Sequence, residues 1–192
     1  MLDKRELKRR LSNREAKIFV TSDQHFGHKN IIRLADRPFT SVESMDEFMI
    51  KQWNSVVSPQ DVVFVVGDFC HKNKKPIGYY LERLNGTKIL ITGNHDKCDA
   101  VLFQFDAVYR AVFETRIRKR DIVFSHYPMA SWNGMYRNSL LFYGHVHKNS
   151  QDFEFVKLPN ALCVNVEFHN YQPIEISKIK MKDFAQEVLK NV

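Results

Sequence analysis

The sequence predicts an α/β fold, and three observations carry that reading. Short apolar runs rich in β-branched and aromatic residues recur along the chain, each closed by Gly, Asp, Asn or His. Their apolarity is nearly continuous rather than alternating, which marks strands covered on both faces. Between them, in the first half, lie segments whose apolar residues follow the helical period.

The elements follow in order. MLDKRELKRR opens the chain, and Leu7 and Leu11, spaced i,i+4, suit a short basic helix. That helix, residues 1–16, is expected as an appendage to a domain spanning 17–192. KIFVTS (17–22) reads as the first strand and Asn30 to Ala35 as a short helix. Thr40 and Glu43 form a capping-box pattern ahead of a longer helix, in which Val42, Met45, Phe48, Met49, Trp53 and Val56 share one face. DVVFVV (61–66) and TKILIT (87–92) are strands, with the helical IGYYLERL (77–84) between them. FETRIRKRDIVF suits a hairpin leading into DIVFSH (121–126). SLLFYG (139–144) and ALCVNV (161–166) are further strands, and MKDFAQEVL (181–189) a closing helix.

Composition bounds the function. A chain of 192 residues, 44% hydrophobic and 27% charged, is long enough for one domain with a substantial core, and its composition is not that of a disordered protein. No apolar run approaches the ~20 residues that span a bilayer, and a charged N-terminus is unlike a signal peptide, so a cytoplasmic setting without membrane association is expected. Cys70, Cys98 and Cys163 are odd in number and lack C-x-x-C spacing, which argues for reduced thiols and against a thiolate zinc site. The net charge of +7 is uneven: residues 1–17 hold seven Lys/Arg against three acids, a local +4. A basic surface favours anionic partners such as nucleic acid, whereas Leu7 and Leu11 equally suit a solvated helix docked onto the body.

The unusual residues sit where the strands end. The runs close in Asp23-Gln24-His25, Gly67-Asp68, Gly93-Asn94-His95-Asp96, Ser125-His126 and Gly144-His145-Val146-His147. Loops after the carboxyl ends of strands share one edge of an α/β sheet, so these clusters can converge. Each alone could be a polar turn; all five in order point to a two-metal centre. In extended chain, residues i and i+2 point the same way, so Asp23 and His25 can reach one ion, and His145 and His147 neighbouring ions. Asp68 can bridge two cations. Imidazole and carboxylate donors suit divalent Mn, Fe, Zn or Ni.

This ordered set, D-x-H, G-D, G-N-H-D, H and G-H-x-H, resembles that of the calcineurin-like metallophosphoesterases. The stretches SDQHFGHKNII, RPF (37–39), WNSVVSPQDVVFVVGDF, SHYPMASWNG and NVEFHNYQPI are similar to a small single-domain bacterial and phage branch of that family. The resemblance covers roughly residues 17–176. It implies a four-layer αββα sandwich, two mixed sheets flanked by helices, with a dinuclear site at the strand ends. It assigns Asp23, His25 and His147 to the first metal, Asp68 to the bridge, and Asn94, His126 and His145 to the second. His95 would protonate the leaving oxygen, oriented by Asp96. The two ions, manganese before Fe, Zn, Ni or Mg, would activate a bridging water for attack on phosphorus.

Around the rim, His28 just before a helix is expected to meet substrate phosphate or cap the helix. Arg37 is expected either to meet phosphate or to pair with an acid such as Asp36 or Asp46. Asn54 and Asn133 could tie down loops, Lys72, Lys74 and Lys75 could ring the mouth, and His71 has no assigned role. The expected function is a metal-dependent phosphodiesterase on nucleotide-like or nucleic-acid substrates. The alternatives are a small-molecule phosphomonoesterase, a catalytically silent protein-binding scaffold, or a basic nucleic-acid module with structural metals. The last would need aromatic stacking residues, and ETRIRKRD has none.

Overall fold

The structure, a computed structural model, describes residues 2–71, 75–97, 104–149 and 160–179. Strands β1 (Ile18–Thr21), β2 (Val62–Val66), β3 (Thr87–Ile91), β4 (Ala107–Tyr109) and β9 (Ile174–Glu175) form one sheet in the order β4-β3-β2-β1-β9. Its first four strands run parallel and β9 is antiparallel. Strands β5 (Val112–Ile117), β6 (Arg120–Ser125), β7 (Leu140–Tyr143) and β8 (Ala161–Cys163) form the second sheet, in which β5 and β6 make the expected hairpin. β6, β7 and β8 run parallel.

Alternation along each strand divides the core into layers. Ile18, Val20, Val62, Phe64, Val66, Ile89 and Ile91 pack against Ile122, Phe124, Leu140 and Phe142 of the other sheet, with the Phe64 and Phe124 rings stacked at 4.4 Å. The residues between them, Phe19, Val63, Val65 and Leu90, face α2 (Lys29–Leu34), α3 (Val42–Val56) and α4 (Ile77–Leu81). The outer face of the second sheet is covered by Trp132 and Met135, the latter in a 3-10 turn at Met135–Arg137. The architecture is therefore the α/β two-sheet sandwich that the sequence implied. The expected helix at 181–189 lies outside the described residues.

One local expectation shifts. The capping box of α3 starts one residue later than predicted: Ser41 Oγ accepts from the Ser44 amide, and Ser44 Oγ from the Ser41 amide. Serine with serine at this spacing closes the same reciprocal pair as Thr with Glu. The N-terminal helix α1 (Lys4–Ser12) buries Leu7 and Leu11 in the cluster between the sheets. Arg10 reaches Thr87 Oγ1 at the start of β3, so α1 sits at the amino ends of the parallel strands.

Phe124→Ala, between the sheets, is expected to cost about 3–5 kcal/mol in urea unfolding. Leu11→Ala is expected to cost about 2 kcal/mol, against less than about 0.5 kcal/mol if α1 were an undocked appendage.

Candidate metal centre

The pairing of β1 with β2 sets the geometry. Their parallel register continues past the strand ends as Asp23 N–H donates to Gly67 O, His25 N–H to Asp68 O and Phe26 N–H to Phe69 O, at 2.9–3.0 Å. Asp23 and Asp68 thereby become neighbours. The second sheet repeats the device: Ser125 pairs with Tyr143, so His126 and the His145 loop emerge side by side, and Gly144 N–H donates to His126 O. The sheets are tied together at this end by a bridge between Ser22 and Asn165.

Asp23, His25, Asp68 and His145 all have positive φ, between 51° and 69°. The extended i,i+2 geometry expected for these residues is not what the structure shows: sharp left-handed turns, not a continuing strand, bring these side chains together. Glycine is required beside them. Gly67 has φ 85°, and a Cβ there would lie 2.8 Å from Gly93 Cα. A Cβ on Gly93 would run into the Asp68 carboxylate.

The side chains converge on one cluster. Ligand atoms of Asp23, His25 and His147 lie within 4.8 Å of one another, as do those of Asp23, Asp68 and His126. Asp68 Oδ2 is 3.7 Å from His25 Nε2, 3.5 Å from His126 Nε2 and 3.8 Å from His95 Nε2. Asn94 Oδ1 stands 2.9 Å from His126 Nε2 and 3.2 Å from His145 Nδ1. The His145 amide donates to both oxygens of Asp23, at 3.0 and 3.1 Å.

Burial and hydrogen bonding test whether cations fit. His25 is 2% exposed, yet among the described residues neither ring nitrogen has a hydrogen-bond partner. A buried imidazole without partners is costly unless something else meets its lone pair. Burial, reinforced by the Arg37 charge, holds its pKa well below the usual imidazole range, so the ring is neutral, as a ligand must be. His126 Nδ1 faces Val66 O at 2.9 Å, and its Nε2 stands 2.9 Å from the Asn94 side-chain oxygen. Burial pushes the Asp23 carboxyl up to about 6, although His126 and His147 oppose it. Carboxylates, imidazoles and an amide oxygen make a donor set that fits divalent cations.

Behind His147 lies a charge pair that the sequence reading missed. His147 Nδ1–H donates to Glu167 Oε1 at 2.7 Å, and Arg37 Nε donates to the same oxygen at 2.9 Å. Burial alone would lower the His147 pKa and raise that of Glu167. Their mutual bond outweighs it, so His147 is raised and Glu167 lowered.

The profile of the family described as calcineurin-like phosphoesterase matches residues 16–184 of this chain. The chain belongs to that family. It is 35% identical to an uncharacterized protein of Methanocaldococcus jannaschii over 85% of this chain and 89% of that one. It is 29% identical to the Gene 66 protein of Mycobacterium phage L5 over 67% and 76% of the two chains. The crystal structure of an Aquifex aeolicus protein of unknown function superposes with a TM-score of 0.67 at 29% identity, covering 92% of this chain and all of that one.

Within this phosphoesterase fold, all seven predicted ligand positions fall in one cluster, with His95 beside them. Asp96 does not play the part expected of it. Among the described residues its carboxylate accepts from the amides of Asp68, Phe69 and Gly93, stapling two loops rather than orienting the His95 ring. Arg37 is likewise corrected. It is buried, pairs with Glu167 instead of Asp36 or Asp46, and donates to the carbonyls of Asp23 and Gln24, so it braces the ligand loops from behind. His28 occupies the N-cap position of α2 without a side-chain cap bond; its ring lies 5.4 Å from His25 and 4.5 Å from His71. His71 in turn packs 4.0 Å from His95, so the structure brings it to the mouth. Asn54 ties down the loop at Arg83 and Asn85, and Asn133 bonds Glu114, as structural readings foresaw. Lys72 and Lys74 lie outside the described residues, and Lys75 stands over the Tyr79 ring.

Two measurements follow from this geometry. Metal uptake must expel the protons that Asp23 and His147 hold, so apparent affinity for a divalent cation should fall as pH drops through about 6. The expected loss is up to about tenfold per pH unit for each proton, read by calorimetric titration. Glu167→Gln is expected to weaken metal binding by about 10–100-fold, and Arg37→Met, which strands Glu167, to cost about 3–5 kcal/mol of stability.

Proposed function

We propose that this chain is a metal-dependent phosphodiesterase that acts on nucleotide-like or nucleic-acid substrates. The observation that carries the reading is a buried His25 without hydrogen-bond partners among the described residues, set among Asp23, Asp68 and His147. Asp23, His25 and His147 would hold one cation, Asn94, His126 and His145 the other, with Asp68 between them. The acid and imidazole donors, without thiolate, favour manganese, with Fe, Zn, Ni or Mg as substitutes. When bound, the ions would supply Lewis acidity and a water nucleophile active near neutral pH.

The chain's own residues account for the rest. His95 has a side chain 32% exposed, the most open of the imidazoles within 4 Å of Asp68, and its amide is fixed by a 2.9 Å bond to Asp68 Oδ1. It is placed to hand a proton to a departing oxygen on the solvent side of the cluster. Asn94 and His28 are the substrate-side contacts for phosphoryl oxygens. The deep burial of His25 and His126 keeps water from competing for the ligand atoms. Free Cys70 and Cys163 support a cytoplasmic setting, and no helix among the described residues is long and apolar enough to cross a membrane.

The test is hydrolysis of an aryl monoester, an aryl diester, cyclic nucleotides and short oligonucleotides after reconstitution with Mn. Diester cleavage is expected to dominate; preference for the monoester would favour a phosphomonoesterase, and no turnover of any substrate would overturn the enzymatic reading. Asp68→Asn should abolish activity. His95→Gln should retain metal stoichiometry and lose about 10²–10⁴-fold in turnover on esters with poor leaving groups.

A further inference from the structure

The cluster has two unlike walls. On one side the rings of His28, His71 and His95 pack in a row, at 4.5 and 4.0 Å. On the other stands Tyr127, which directly follows the nearly fully buried His126 yet is itself 50% exposed. Its ring lies 4.6 Å from the His145 ring, tilted 59°, and 5.3 Å from that of His126 at 71°. Leu34, Phe48, Val112 and Tyr136 are the other large hydrophobic residues exposed among those described, and Phe48 packs on Phe39 and Tyr171. Neither imidazole meets the tyrosine in parallel, so the two contacts are edge-on or inclined and about half of the residue stays open to solvent.

We propose that Tyr127 is a stacking platform for a nucleobase, which makes the substrate a nucleoside phosphodiester rather than an alkyl one. The inference rests on the phosphodiesterase reading and narrows its substrate class. A phosphoryl group held beside Asn94 would stand one imidazole, that of His145, away from the tyrosine, a separation that a sugar joining phosphate to base would bridge. A flat, π-rich base would cover apolar ring surface that otherwise stays wet, whereas an alkyl or polyol group has no face to offer. Base–aromatic stacking tolerates every base, so the proposal fixes the class of substrate and not its sequence. It also provides the aromatic element that the arginine-rich hairpin lacks.

The test is equilibrium binding to the manganese-loaded His95→Gln protein, which suppresses turnover. Adenosine 5′-monophosphate, adenosine 3′-monophosphate and ribose 5-phosphate are titrated calorimetrically. One of the nucleotides is expected to bind about tenfold or more tighter than ribose 5-phosphate. Adding Tyr127→Ala should erase that gap, Tyr127→Phe should keep it, and Tyr127→Leu, which keeps bulk without a π face, should lose most of it. No gap with Tyr127 in place, or a gap that survives both Tyr127→Ala and Tyr127→Leu, overturns the proposal. Failure of the phosphodiesterase reading shows separately, as absence of ester hydrolysis by the unaltered protein.

Discussion

The site depends on four residues that bear side chains holding a backbone conformation most of them avoid. Asp23, His25, Asp68 and His145 occupy the left-handed region, at a cost of about 1–2 kcal/mol each. The restraint comes from outside: the β1–β2 ladder running on past its strands, the Asp96 carboxylate gathering three amides, and Arg37 holding the carbonyls of Asp23 and Gln24. Strain of this kind is typical of sites whose surroundings over-determine them. The ligand cluster is thus a property of both sheets together, not of any one motif.

This explains which parts were legible in the sequence. Strands covered on both faces announce themselves by continuous apolarity, so β1, β2, β3, β6 and β7 were readable within a residue or so. β4 and β9 were not, because two or three residues carry no period. The candidate ligands were legible because Asp and His are out of place at the end of an apolar run. Arg37 and Glu167 were not: they meet across 130 positions, and neither belongs to a spaced motif. A lone acid inside the apolar stretch NVEF, with the fixed arginine of an RPF turn, was the available signal, and only the fold joins them. The role of Asp96 came from the family resemblance, whereas here its carboxylate turns back to the amides of Asp68, Phe69 and Gly93.

The Arg37–Glu167–His147 row also shows how a buried ion pair can serve chemistry. A carboxylate in the interior is costly unless matched, and Glu167 is matched twice, by a guanidinium and by an imidazole. That match fixes which nitrogen of His147 carries the proton and leaves the other to the cluster. The same arginine lowers the proton affinity of His25. One buried cation therefore helps keep one imidazole neutral and, through the carboxylate, fixes the proton on another.

The docking of α1 has a bearing on how substrate arrives. Its contact with Thr87 places the basic helix at the amino end of β3, while Asn94 and His95 follow the carboxyl end. Five residues of strand separate the two by on the order of 16 Å, about twice the Debye length at physiological salt. The N-terminal surplus of positive charge is therefore largely screened from the ligand cluster. Long-range attraction of a polyanion by that surplus would deliver it to the wrong end of the sandwich, so capture at the site has to be local.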